Sequence, residues 1–214
     1  MKKALLFACA FAAVSAASAL ESDIGVYFGL PTYRGEGDSA DVEGFSVSVK
    51  PRIETYAIGI NSANFYGETK RFGLGGDFSF VLLRRLVADV GGVETSIKGD
   101  AVDYFFGGDF LIGPAFALAR TERLLVPFYV GPHWFWFSSK ISGSSSRCDF
   151  IGVGAAISAE YALSAGWYVF GGVRGSWDFY DWGTSGEETV GSAENLFAFS
   201  PKIGFGYKWD AGRA

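Results

Sequence analysis

The C-terminal stretch 195–209 alternates between two kinds of side chain, and this alternation limits what the chain can fold into. Large apolar residues recur on one face with a period of two, namely Phe197, Phe199, Ile203, Phe205, Tyr207 and Trp209. The positions between them are small or polar, as at Lys202, Gly204 and Lys208. A period of two is that of a β-strand with one apolar face. That face turns to a core in a soluble sandwich, and to lipid in an outer-membrane strand with a polar lumen behind it.

The N-terminus has the features of a secretory signal peptide. Lys2 and Lys3 precede the apolar run Ala4–Val14, and Ala17-Ser18-Ala19 forms an A-x-A cleavage site. The run is too short to cross a bilayer as a helix. We therefore predict a cleaved signal peptide at 1–19 and one domain at 20–214, because no Pro- or Ser-rich linker divides the remainder.

Composition excludes several classes of protein. Without Lys2 and Lys3, 16 basic and 23 acidic side chains remain, a net charge of −7 without basic clusters, which argues against nucleic-acid binding. No uncharged apolar run of about 18 residues follows the signal peptide, which excludes helical membrane spans. Only Cys148 remains after cleavage, so no intramolecular disulfide can form. A free thiol and an intermolecular bridge both stay open.

The apolar content is spread over many alternating segments, which suits a closed barrel. Aromatic residues make up 17% of the chain, and it has 30 glycines. Lipid tolerates only backbones whose hydrogen bonds are satisfied internally. The sequence therefore predicts an all-β, closed antiparallel transmembrane barrel with both termini in the periplasm. The predicted connections between strands alternate between short turns, including one at Arg84–Arg85, and longer polar loops. The predicted external loops are 34–44, 61–70, 94–102, 139–149 and 181–194.

The number of strands depends on one interruption. The alternation changes phase around Pro51, which indicates either a turn at Lys50–Arg52 or a bulge. A turn gives ten strands. If 43–60 is instead an elaborated hairpin of the first external loop, the number is eight.

The same alternation assigns charged side chains to the lumen. The predicted lumen residues are Asp77, Asp89, Asp109, His133, Glu160, Arg174, Asp178, Lys202 and Lys208. An isolated charge in a narrow lumen is costly unless it is paired or hydrated. We expect Arg174 and at least one of Lys202 and Lys208 to contact inward carboxylates. The alternative for Lys208 is that it reaches into water.

Catalytic and metal-binding signals are absent from the sequence. His133 has no adjacent Ser or Asp signature, so a lumen-lining role is favoured over general-base catalysis. No phosphate loop and no Cys/His metal spacing occur. We therefore predict a protein that is not an enzyme and needs no cofactor or metal. Five tryptophans are predicted to lie at the membrane interfaces rather than to bind a ligand, namely Trp134, Trp136, Trp167, Trp177 and Trp209.

Several stretches resemble the OmpW family of small outer-membrane barrels. They are F-L-I-G-P-A-F-A-L-A, Pro127–Phe137, S-A-E-Y-A-L-S-A-G-W-Y-V and the closing I-G-F-G-Y-K-W. OmpA-like and Opa-like barrels match nearly as well. The resemblance implies eight strands, which favours that number over ten. It also implies the passage of small, often hydrophobic, molecules through a largely apolar lumen. The charged inward residues of this chain argue against a hydrophobic conduit.

The end of the chain resembles the signal by which the outer-membrane assembly machinery recognises barrels. Lys202, Gly204, Tyr207 and Trp209 carry that likeness, although 210–214 follow the final aromatic residue. The expected partners are outer-membrane lipid, the assembly machinery and small solutes. Two functions remain. The favoured one is a passive channel for small solutes, and the alternative is a structural or surface-interaction barrel whose lumen is plugged by charges.

Overall fold

The structure is a computed structural model, and it describes residues 21–36, 38–42, 45–90, 92–97, 102–141, 143–185, 188–190 and 195–210. The predicted signal peptide lies outside these ranges. Within them, no helix is long and apolar enough to cross a membrane.

The described chain folds into twelve strand segments. They are β1 (Glu21–Gly29), β2 (Thr32–Gly35), β3 (Asp38–Val42), β4 (Phe45–Tyr66), β5 (Phe72–Val90), β6 (Val93–Ile97), β7 (Val102–Arg120), β8 (Leu124–Ile141), β9 (Ser144–Ala162), β10 (Trp167–Ser185), β11 (Glu188–Val190) and β12 (Leu196–Asp210).

These segments close into one antiparallel ring of eight strands. The segments β1 and β2 together form the first strand, followed by β4, β5, β7, β8, β9, β10 and β12, and β12 pairs with β1 to close the ring. The predicted all-β closed barrel with eight strands is confirmed. Glu21 lies opposite Asp210, and we call this end of the barrel the terminal end. The opposite end, where β3, β6 and β11 extend the hairpins, is the hairpin end.

The barrel is inverted relative to a soluble protein. Large apolar side chains are exposed on its outer surface, with Ile203 at 67% and Ile58 at 66%. Charged side chains such as Asp77 and Arg174 are buried inside. This polarity is that of a strand between lipid and a polar interior, and it excludes the soluble sandwich.

The predicted turn at Arg84–Arg85 is wrong, and so is the turn that was one of two alternatives at Lys50–Arg52, because the strands continue through both. Lys50–Arg52 lies within β4, and Arg84–Arg85 lies within β5. Glu54 pairs with Arg85 and Thr55 with Leu83, so Arg84 is the extra residue of a β-bulge. The ring has eight strands because β4 and β5 are each one long, uninterrupted strand. It does not have eight because 43–60 forms a hairpin.

The change of phase has a physical cause. Where the outer surface faces lipid, apolar residues such as Ile58 and Leu82 point outward. Nearer the hairpin end, Arg85 is exposed on the outer surface while Ile53 is buried inside. The apolar residues therefore change faces where each strand leaves the apolar belt.

The predicted external loop 61–70 is also wrong. Asn61–Tyr66 belongs to β4, and the turn that follows lies at the terminal end, where Lys70 Nζ is 3.5 Å from Glu21 Oε2. Gly67 supplies a positive φ of 68° in this turn. The described parts of the other four predicted loops lie at the hairpin end, where the strand ladders extend into them through β3, β6, β8, β9 and β11. The rest of these loops lies outside the described residues.

Apolar side chains pack inside the barrel at two levels. Near the hairpin end, a cluster consists of Tyr33, Ile53, Ala57, Val81, Phe105, Phe135 and Leu196. The ring of Tyr33 stacks on that of Phe135 with centroids 4.0 Å apart. Towards the terminal end, a second cluster includes Phe65, Leu111, Leu125 and Tyr129. Charged groups occupy the level between these clusters.

Candidate functional site

Six ionisable side chains meet in the interior of the barrel, and we call them the lumen network. They are Asp77 on β5, Asp109 on β7, His133 on β8, Arg174 and Asp178 on β10, and Lys202 on β12. Each points inward because strand residues alternate between the two faces of the sheet. None is more than 6% exposed. All six are among the lumen residues predicted from the alternation.

Arg174 is the centre of the lumen network. Its Nη1 donates to Asp77 Oδ1 over 3.1 Å, and its Nη2 donates to Asp109 Oδ2. A guanidinium presents its donors in a fixed planar fork, so one Arg can hold two carboxylates at once. Arg174 thereby links three strands of the barrel across the lumen.

Asp77 accepts hydrogen bonds from four side chains. Besides Arg174, the Nζ of Lys202 and the hydroxyl of Tyr27 donate to it. Tyr129 donates from 3.3 Å. The carboxylate is therefore fully surrounded by donors, which compensates for its burial.

Asp109 and Asp178 hold His133 between them. Nε2 of His133 lies 2.6 Å from Asp109 Oδ1, and Nδ1 lies 2.7 Å from Asp178 Oδ1. Gly152 pairs with both His133 and Asp178 in the sheet, and a Cβ there would lie only 2.4 Å from Asp178 Cα. The missing side chain lets the strands approach closely enough for the ring to reach the carboxylate.

Hydrogen-bond counting constrains the charge of the lumen network. The two contacts of His133 each need a proton, either on the nitrogen or on the facing carboxyl group. With both protons on the ring, three cations face three carboxylates, and the network is neutral. Removal of one member of such a buried set leaves an uncompensated charge, which typically costs about 3–5 kcal/mol.

A second charged group lies at the terminal end. Lys208 Nζ is 3.1 Å from Glu160 Oε2, and Arg120 Nη1 donates to both carboxylate oxygens of Glu21, at 2.9 and 2.8 Å. These residues line a cavity of about 280 Å³ that also borders Tyr168. Lys208 thus contacts an inward carboxylate, and its side chain is still 25% exposed. The expected contact with an inward carboxylate and the alternative, access to water, therefore both hold for Lys208.

Asp89 does not belong to the lumen network. It lies near the end of β5, where its Oδ1 accepts a hydrogen bond from Gly92 N over 2.8 Å in the turn to β6. The prediction took Arg84–Arg85 as a turn and placed Asp89 on the inner face of a new strand that follows it. Its placement in the lumen is wrong, because there the strand has become part of the β5–β6 hairpin beyond the apolar belt.

The five predicted interface tryptophans fall into two groups. Trp167 and Trp209 lie at the terminal end, where Trp167 packs on Tyr207 with centroids 5.4 Å apart. Trp177 lies about ten residues further along β10, which corresponds to about 26 Å along the axis of a barrel with strands tilted by ~40°. That distance is close to the height of the apolar band in outer-membrane barrels.

The remaining two tryptophans lie on β8 on the same side of the belt as Trp177. Trp134 Nε1 donates to Asp149 Oδ1 over 3.1 Å, and Trp136 packs edge-to-face on Phe106. The four residues of the predicted assembly signal lie on β12, with Lys202 buried inside and Tyr207 and Trp209 exposed outside.

Three tyrosines of the site were not among the predicted lumen residues. Tyr27, Tyr33 and Tyr129 are each at most 4% exposed, and all three donate to the carboxylates of the lumen network. The alternation places Tyr27 and Tyr129 on inward positions, so the same argument that found the charges was sufficient to find them. The three tyrosines were missed because the prediction took only charged side chains and His133 as lumen residues.

Fold and site together define a small outer-membrane β-barrel. Family models and curated protein sequences give no match. Among solved structures, OprG from Pseudomonas aeruginosa is similar with a TM-score of 0.60 and 14% identity, covering 91% of this chain and 98% of that chain. Neisserial surface protein A has a TM-score of 0.57 and 10% identity, with coverage of 88% and 97%.

A third similar structure is AlkL in lipid bilayers, with a TM-score of 0.50 and 18% identity, covering 90% of this chain and 92% of that chain. All three are small outer-membrane barrels of the OmpW/OmpA-like type. At these identities the likeness concerns the fold alone, and at that level it confirms the resemblance drawn from the sequence.

Proposed function

We propose that this chain is an outer-membrane barrel whose lumen is closed by the lumen network and whose working surface is the hairpin end. The observation that carries the proposal is the contact of Arg174 on β10 with Asp77 on β5. These two strands lie on opposite sides of the ring. A hydrogen bond between them crosses the middle of the lumen.

A second layer supports closure. Between the lumen network and the hairpin end, the stacked rings of Tyr33 and Phe135 are both 0% exposed. Tyr33 also donates to Asp109 over 2.6 Å, so the aromatic layer and the charged layer are joined. Eight strands enclose an interior that side chains nearly fill.

The connections at the two ends of the barrel differ in length, which supports a location of the terminal end in the periplasm. Its turns are short, whereas β3, β6 and β11 extend the hairpins at the other end. Outer-membrane barrels have short periplasmic turns and longer external connections. β4 has 22 residues, and about 9–11 suffice to cross a bilayer. The excess forms the hairpin end, which is the surface available to other molecules.

A passive channel for small solutes is the second candidate. The cavity at the terminal end favours it, because it reaches inward to Glu160 and Tyr168. Conduction requires the lumen network and the aromatic layer to move aside, since both are packed in this conformation.

Planar-bilayer recording of the refolded protein, with solute uptake into vesicles, tests the proposal. We expect no conductance steps from the wild-type protein. A variant that clears both layers, Arg174→Ala with Phe135→Ala, is expected to conduct if it folds, and heat-modifiable gel migration checks folding. Steady single-channel conductance from the wild-type protein contradicts closure and supports the channel.

A further inference from the structure

The outer surface of the barrel becomes charged immediately beyond the apolar belt on one side. Tyr56 pairs with Leu82, and these side chains are 44% and 55% exposed. The next outward pair towards the hairpin end is Glu54 with Arg85, and the following row contains Arg34 paired with Arg52. The apolar belt and this charged surface are therefore adjacent rows of the same strands.

The β-bulge concentrates positive charge at this boundary. Because Arg84 has no partner in the ladder, it and Arg85 are both exposed on the outer surface. Arg84 Nη2 is 2.9 Å from Glu54 Oε2, and its guanidinium lies over the ring of Tyr56 at 6.0 Å. Arg84 therefore sits at the edge of the belt.

Positive charge is in excess on this surface, which we call the boundary patch. It contains the basic residues Arg34, Lys50, Arg52, Arg84 and Arg85 and the acidic residues Glu36, Glu54, Asp89 and Glu94, which is five cations against four carboxylates. Arg52 forms salt bridges with Glu54 and Glu94. Within the described part of the chain, Arg34 and Arg85 form no salt bridge, so their donors remain free for a ligand.

The surroundings of Glu94 reflect this excess. The hydrogen bonds from Arg52 hold the pKa of the Glu94 carboxyl below its usual range, and the charges of Arg85 and Arg34 lower it further. The effect is that of a positive local field outside the membrane belt.

We propose that the boundary patch binds the phosphate group of an anionic lipid in the leaflet next to the hairpin end. Guanidinium groups match phosphate oxygens in pairs of hydrogen bonds. A lipid whose acyl chains cover Tyr56 and Leu82 places its headgroup at the level of Arg84 and Arg85. A soluble anion gains nothing from the adjoining apolar rows. The inference rests on the proposed membrane location but not on whether the lumen conducts.

Lipid selectivity in vesicles tests the proposal. Wild-type protein in phosphatidylcholine vesicles receives trace spin-labelled phosphatidic acid or spin-labelled phosphatidylcholine, and the motionally restricted fraction of each label is compared. We expect phosphatidic acid to be preferred about fivefold, the effect of roughly one basic side chain near an anionic surface. The ratio of phosphatidic acid to phosphatidylcholine association should fall to about one in the variant Arg34→Gln/Arg84→Gln/Arg85→Gln.

Lys140→Gln is the matched control, because Lys140 is also a hairpin-end cation but pairs with Asp103 outside the patch. It should keep the preference, as should Arg84→Lys/Arg85→Lys in large part. Heat-modifiable migration shows that each variant is folded. An equal preference in the wild-type protein and the triple Gln variant overturns the proposal. Loss of the wild-type preference on addition of millimolar inorganic phosphate also overturns it, since the site then takes free phosphate. Conductance recordings are independent of all these outcomes.

Discussion

The guanidinium of Arg174 donates to the carboxylate of Asp77 over 3.1 Å, although the two residues lie on opposite strands of the ring. The contact spans the lumen through two side chains alone. It is short because Arg174 is long and because the interior of an eight-stranded barrel is narrow. The same guanidinium also holds Asp109, so one residue joins β10 to two strands across the lumen.

Arg174→Ala is expected to destabilise the folded barrel by about 3–5 kcal/mol, because Asp77 and Asp109 lose a shared cation while staying buried. Urea unfolding in lipid vesicles, followed by tryptophan fluorescence, measures the change. Arg147→Ala is the control, since Arg147 pairs with Asp149 over 3.0 Å with a side chain that is 58% exposed. Its effect should stay below about 1 kcal/mol. Equal effects of the two substitutions contradict the buried network.

Among the residues that the structure describes, His133→Leu should leave buried Asp178 with only Ser176 as a hydrogen-bond partner, at 3.4 Å. We expect a loss of about 3 kcal/mol or more. The double variant His133→Leu/Asp178→Leu removes both charges of the pair and should regain part of that loss, because a well-packed apolar pair replaces an ion pair at little cost. The midpoint of heat-modifiable migration compares the variants. A double variant less stable than His133→Leu is the contrary result.

The alternation of residues was sufficient to predict a closed barrel and the members of the lumen network, since parity on a strand decides which face a residue takes. The choice of eight strands over ten came from the resemblance to the OmpW family. It failed where the surroundings of the strand changed. At Arg84 and at Pro51 the outer face passes from the apolar belt to a polar surface, and the apolar residues move to the inner face. From periodicity alone, this exchange of faces cannot be distinguished from a turn. Asp89 was misplaced because a turn was predicted at Arg84–Arg85 and a new strand after it.

The aromatic layer was beyond sequence reasoning for a related reason. Phe135 occupies an inward position of β8, and a polar lumen is the expectation for an outer-membrane barrel. Its burial depends on Tyr33, more than 100 positions earlier in the chain. Contacts across the lumen join strands that are not neighbours in the sheet, so no local pattern records them.

The apolar belt gives a prediction with a matched pair of sites. Ile203 on β12 and Val93 on β6 are almost equally exposed, at 67% and 66%. Only Ile203 lies in the belt, because Val93 belongs to the β6 hairpin. Ile203→Arg should destabilise the barrel in vesicles by about 2–4 kcal/mol, and Val93→Arg by less than about 0.5 kcal/mol. Similar costs at both sites mean that the boundary of the belt is misplaced.

The resemblance of the last strand to an assembly signal predicts a defect in biogenesis that is separate from stability. Tyr207 and Phe205 lie on the same outer face of β12, with exposures of 40% and 55%. Tyr207 belongs to the proposed signal and Phe205 does not. Both substitutions to Ala remove a ring from a lipid-exposed surface, so they should alter spontaneous folding into vesicles to a similar extent.

In cells the two variants should differ. We expect Tyr207→Ala to reduce the amount of folded barrel in the outer membrane several-fold, because the assembly machinery no longer recognises the strand, and Phe205→Ala to leave it near the wild-type level. The heat-modifiable fraction in outer-membrane preparations measures this amount, and the vesicle folding yield of each purified variant corrects for intrinsic stability. Equal cellular yields after that correction mean that Tyr207 acts only as a lipid-facing aromatic residue and that the signal lies elsewhere.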